Sequence, residues 1–118
     1  MLNPEEIKSL KEKIENDEIL NFKYVESTDE DSIFNSYKSL IEAESKIEEY
    51  LDVIKVQKER VSVNVLHNNQ RVRSIFADYL EILKKLERKV IDSKEKTSTY
   101  RKRIIENFSV AFENSEIS

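Results

Sequence analysis

The chain contains no glycine, no cysteine and no tryptophan, and its 118 residues include one proline, Pro4, and one histidine, His67. Without glycine the backbone lacks the usual occupant of positive-φ turns, and with proline confined to position 4 no residue of that type breaks a helix downstream. A sandwich or barrel of this length needs a series of tight turns drawing on Gly, Pro and Asx pairs, so a sheet-rich fold is disfavoured and an all-α fold is expected. The lack of cysteine removes disulfides and thiolate metal sites, and an intracellular, cytoplasmic protein is the simplest fit. No apolar run approaches the roughly 20 residues that span a bilayer, and the N-terminus opens with the polar run Asn3 to Glu6 rather than a secretory signal.

Chemistry is equally sparse. A metal site in a helical bundle draws on Glu-x-x-His pairs or several histidines, whereas His67 stands alone and is read as a solvated residue near a helix end. A serine nucleophile would lack a partner base, and a glycine-rich phosphate loop cannot be built. The expectation is a protein that is not an enzyme, with no cofactor, no metal and no catalytic residue.

What the chain does contain is a stripe. Ile33, Tyr37, Leu40, Glu44, Ile47, Leu51, Ile54, Lys58, Val61, Val65, Asn68, Val72, Ile75, Tyr79, Ile82 and Leu86 follow an unbroken 4-3-4-3 spacing, the pattern of a helix that buries one narrow seam against another helix. Ten of these, Ile47, Leu51, Ile54, Val61, Val65, Val72, Ile75, Tyr79, Ile82 and Leu86, are the expected partner-binding residues. Glu44, Lys58 and Asn68 interrupt the seam, and polar residues at such positions set register at a cost in stability. Past Tyr79 the frame shifts by an inserted four residues, and Leu83, Leu86, Val90, Tyr100, Ile104 and Ala111 carry it on. Between Asp92 and Thr99 no large apolar residue occurs, which predicts a joint there.

The whole chain reads as a single helical domain. Pro4 at a first helical position behind Asn3 as a cap, with Glu5 and Glu6 in the first turn, predicts a short helix over about 4–22, carried by Ile7, Leu10 and Ile14. An acidic linker over about 26–32 follows, in which Ser27 and Glu30 form a capping-box pattern, and a long helical region over about 30–112 comes next. Val61 to Val65 alternates with a period of two, yet no partner strand exists, so a β-branched stretch of helix is expected. A turn at 67–70 is credible because Asn tolerates a left-handed helix end, while the unbroken heptad phase through Asn68 speaks for one continuous rod. Hairpin and rod both stay open at this point.

Charge bears on the orientation. Residues 1–54 hold 6 lysines and 15 acidic residues, net −9, and residues 55–118 hold 14 basic and 9 acidic residues, net +5. Opposite halves favour antiparallel packing, within one chain or between two. The basic half, with Arg71, Arg73, Lys84, Lys85, Arg88, Lys89, Arg101, Lys102 and Arg103, invites a nucleic-acid hypothesis, but interleaved acids and the overall charge of −4 make nucleic acid a disfavoured partner. Membrane contact is expected only through a larger complex. Near the end of the chain Ile104, Ile105, Phe108 and Phe112 form a candidate exposed patch for a partner.

Residues 83–112 resemble the C-terminal segment of the KxDL-motif proteins, small coiled-coil subunits of trafficking complexes, through Leu83-Lys84, Arg103-Ile104 and Ala111-Phe112. At the place of the motif this chain has Glu87-Arg88-Lys89-Val90, so the resemblance implies a shared style of small helical subunit and transfers no residue role. The expected architecture is an elongated antiparallel helical hairpin or coiled coil with a short N-terminal helix packed on it. The expected role is a structural or adaptor subunit that assembles with itself or with other helical subunits. The alternatives are a small helical chaperone or secretion partner, and a nucleic-acid-binding regulator.

Overall fold

A computed structural model describes residues 4–21, 29–66 and 68–117. They form three α-helices, α1 (Pro4–Glu15), α2 (Glu30–Val65) and α3 (Gln70–Ile117), with one 3-10 turn, Glu18–Asn21, after α1. The long helices α2 and α3 pack antiparallel, α1 lies on the pair, and the molecule measures 73 × 19 × 18 Å. Among the described residues no helix is long and apolar enough to cross a membrane.

Side chains set the helix boundaries. The Ser32 amide donates to Asp29 Oδ2 at 3.1 Å and the Ser32 hydroxyl to the same oxygen at 2.9 Å, so Asp29 is the cap of α2 and the helix begins at Glu30, inside the interval expected to be linker. Ser27, the expected capping residue, lies outside the described residues, as do Asn3 and His67. Asn69 caps α3 in the same manner, accepting from the amides of Arg71 and Val72 at 2.9 and 3.4 Å. The break between α2 and α3 therefore comes from a cap that starts the next helix; no described residue has positive φ. This settles the long helical region as two helices, and the heptad phase carried through Asn68 is coincidence. The first helix is also shorter than expected. Asp17 stops it, its carboxylate accepting from the Ile19 amide at 3.0 Å and its carbonyl from the Leu20 amide at 3.3 Å, which turns Glu18–Asn21 into a 3-10 piece.

The main core joins all three helices. Ile7, Leu10, Ile14 and Leu20 from the N-terminal segment pack with Ile47, Tyr50, Ile54 and Val61 of α2 and Leu83, Leu86 and Val90 of α3. A twelve-residue helix is unstable alone in water, so this apolar face is what holds α1 in shape. On α2 the seam line Ile33, Leu40, Ile47, Ile54, Val61 is buried as its spacing predicts. The second line differs: Ala43, Tyr50 and Gln57 are buried, while their neighbours Glu44, Leu51 and Lys58 are half-buried. At Tyr50 and Gln57 the reason is the N-terminal segment, which covers that side of α2 and widens a two-helix seam into a three-helix face. The Tyr50 hydroxyl donates to Asp17 Oδ2 and Gln57 Nε2 donates to Glu6 Oε2 at 3.0 Å, fixing the flank on which α1 lies. Burial, reinforced by Asp17, pushes the Tyr50 phenol well above its ordinary value of 10.0.

No joint divides α3. Ser93 and Thr97 occupy the seam where the sequence offers no large apolar residue, and both are buried. Their hydroxyls donate to backbone carbonyls, Ser93 to Lys89 at 3.2 Å or Leu20 at 3.1 Å and Thr97 to Lys94 at 2.8 Å, so small polar residues continue the line Leu83, Leu86, Val90 to Ile104 without a break.

Candidate assembly face

Opposite α1, the other flank of the hairpin carries three cross-helix ion pairs. Arg101 grips Glu44 with two bonds, Nε to Oε1 at 2.9 Å and Nη2 to Oε2 at 2.7 Å. Lys94 meets Glu48 at 3.0 Å, and Lys58 donates to both oxygens of Glu87 at 3.1 and 3.2 Å. The Arg101 guanidinium also lies 5.9 Å from the centre of the Tyr37 ring, and its bonds to Glu44 raise its pKa. Between these helices a cleft of about 210 Å³ opens, lined by Glu44, Ile47, Glu48, Lys94, Thr97 and Arg101.

The ion pairs locate a set of exposed apolar side chains. Residues seven apart on a helix share a face within about 20°. Phe34 and Ile41 lie on the line of Glu48, and Phe108 lies on the line of Lys94 and Arg101 with Ile105 one turn beyond Arg101. Since Glu48 meets Lys94 and Glu44 meets Arg101, these four apolar residues look out from the same flank. Their exposures are 55% for Phe34, 44% for Ile41, 52% for Ile105 and 55% for Phe108. They sit on the open half of the hairpin, where the small core of Ile33, Leu40 and Ile104, flanked by Tyr37 and Tyr100, draws on α2 and α3 alone. Lys38 lays its ammonium 4.7 Å from the Phe34 ring centre, the sole cation on that ring among the described residues.

The residues expected to bind a partner are distributed differently. Ile47, Ile54, Val61 and Leu86 are buried in the chain's own core, and Leu51, Tyr79 and Ile82 pack partly buried against it. Val72 is half-buried, Ile75 is 44% exposed near the start of α3, and the Val65 side chain lies outside the described residues. Of the three expected register residues, Glu44 and Lys58 make the cross-helix pairs above, and Asn68 sits exposed in the connection between helices, outside the seam. In the terminal patch, Ile105 and Phe108 are exposed, Ile104 is buried, and the Phe112 side chain lies outside the described residues. Phe34 and Ile41 went unrecognised as surface because each adjoins a seam position, Ile33 and Leu40, and an apolar pair on a helix does not announce which member turns inward.

Among the described residues no group of three or more His, Cys, Asp or Glu side chains is placed to hold a metal ion. No protein-family model, no curated protein and no solved structure matches this chain.

Proposed function

We propose that the protein is a non-enzymatic structural or adaptor subunit that assembles with other helical surfaces through the open half of its hairpin. The observation that carries this is the stripe of Phe34, Ile41, Ile105 and Phe108, each 44 to 55% exposed on one flank of two helices whose apolar seam is already consumed within the chain. Large exposed side chains scattered singly are ordinary, whereas four on one flank, rimmed by the Arg101–Glu44 and Lys94–Glu48 pairs, have the layout of an interface core with a polar border. The partner contact thus moves from the predicted seam to its neighbouring face.

The test is a photo-reactive phenylalanine analogue in place of Phe108, and in a second variant in place of Val56, which is 45% exposed on α2 away from this flank. In cells that make the protein, irradiation is expected to give discrete protein adducts at position 108 and none of equal yield at position 56. Equal or absent adducts at both positions would overturn the assignment.

A further inference from the structure

We infer that the occupant of this flank is a second copy of the chain, arranged so that α2 of each copy lies on α3 of the other and both hairpin turns point the same way; this rests on the assembly reading above. Charge selects the arrangement. On the open half, residues 30–49 of α2 carry six acidic and two basic residues, net −4, and residues 94–109 of α3 carry five basic and two acidic residues, net +3; with the Glu44–Arg101 and Glu48–Lys94 pairs already made within the chain, −2 and +1 remain for a partner. Two copies can meet face to face about a twofold axis in two ways. An axis across the hairpin sets acidic α2 on acidic α2 and basic α3 on basic α3. An axis along the hairpin sets acidic α2 on basic α3 twice over, and the four helices form an antiparallel bundle in which every neighbour has the opposite sign.

The register follows from the pairs already made. Glu44 with Arg101 and Lys58 with Glu87 both put residue n of α2 level with residue 145 − n of α3. Ile41 is then level with Ile104 and stands within a residue of Ile105, and Phe108 is level with Tyr37, one turn from Phe34. In the dimer with its axis along the hairpin, Ile41 of one copy faces Ile105 of the second copy, and Phe34 faces Phe108. The stripe is thereby self-complementary, large ring against large ring and isoleucine against isoleucine. The face is about 28 Å long, from the 19 rises of 1.5 Å across residues 30–49, and about 18 Å wide. Two copies would cover about 1,000 Å² in total, near the lower limit of a specific interface, so the dimer is expected to dissociate in the micromolar range.

Since the chain has no cysteine, introduced thiols report on geometry cleanly. Ile41→Cys and Ile105→Cys are both surface changes, and retention of the helical circular dichroism signal verifies that each variant folds. The two proteins, mixed at about 100 μM and treated with a short bismaleimide linker, are expected to give several-fold more cross-linked dimer than either alone, and Val56→Cys none above background. Ile41→Cys linking to itself as efficiently as to Ile105→Cys would overturn the orientation. A light-scattering mass fixed at 14.0 kDa up to that concentration, with no cross-linking, would overturn the dimer itself. Adducts of the Phe108 analogue to a different protein, in the face of that monomer, would leave the assembly reading standing; absence of any adduct would remove both.

Discussion

Replacing Tyr50 with Phe separates a hydrogen bond from the packing around it, because the ring is 2% exposed in the three-helix core and its hydroxyl donates to Asp17 at the end of α1. A net bond to a charged acceptor contributes about 1.5–3 kcal/mol, and since Asp17 is partly exposed and can recruit water when deserted, the low end applies. At pH 8 the variant should be less stable by about 1.5 kcal/mol. Above pH 10 the sign turns. The folded phenol is held above its ordinary value by burial and by Asp17, so it keeps its proton where the unfolded chain's phenol loses it. The tyrosine's contribution is therefore complete below pH 10 and declines as pH rises, by about 1.4 kcal/mol at pH 11 and about 2 kcal/mol at pH 11.5. Phenylalanine has nothing to ionise. Urea denaturation followed by circular dichroism from pH 8 to 11.5 should thus show the two stability curves converging and crossing near pH 11, and the other tyrosines and the lysines cancel in the difference. Curves that stay parallel to pH 11.5 would refute the account of Tyr50 as a buried donor clamped to α1.

Three further changes probe separate parts of the structure. Ile54→Ala empties a site with no exposed surface, flanked by α1 and α3, and should cost about 2–5 kcal/mol in chemical denaturation, while Ile41→Ala on the exposed stripe should change the monomer's stability by less than about 1 kcal/mol. Gln57→Met should hold or raise the denaturation midpoint: it removes a buried carbonyl oxygen that has no hydrogen-bond partner, a relief of about 1–3 kcal/mol, against the loss of one bond to the charged, half-exposed Glu6 of about 1.5 kcal/mol. A double-mutant cycle with Glu44→Gln and Arg101→Gln should give a coupling of about 0.5–1 kcal/mol that shrinks in 1 M salt, since the pair is bidentate yet keeps 32 and 40% of its side-chain surface in solvent.

The line Ile33, Leu40, Ile47, Ile54, Val61 was plain in the sequence because branched and long aliphatic residues repeat there every seven positions, and that line does form the buried edge of α2. Its companion was hidden. Ala43, Tyr50 and Gln57 also recur every seven residues, but one is small, one is amphipathic and one is polar, and the burial of the last two depends on the N-terminal segment arriving from a distant part of the chain. Position 57 shows the limit sharply, since an amide in a seam looks like surface until Glu6 is seen beside it. The stretch from Asp92 to Thr99 misled for a related reason. A serine and a threonine that bond to their own helix's carbonyls carry no apolar signal, so a continuous helix resembled a joint. At the turn, the expected left-handed asparagine was instead a cap: the same amide side chain serves either end of a helix, and composition does not say which. The assembly face was half visible, in Ile105 and Phe108, and its other half became visible only when the Glu48–Lys94 pair aligned the two helices.

The clasp between Ser93 and the carbonyl of Leu20 joins residues 73 positions apart. During synthesis at about 5–20 residues per second, the N-terminal segment leaves the ribosome roughly 4–15 s before the part of α3 that receives it. A helix of twelve residues does not persist alone for that interval, and α2 by itself offers it one wall of a two-walled seat. Of the two segments the one made earlier is thus the later to fold, and for those seconds Ile7, Leu10, Ile14 and Leu20 stand open to chaperones and to neighbouring nascent chains.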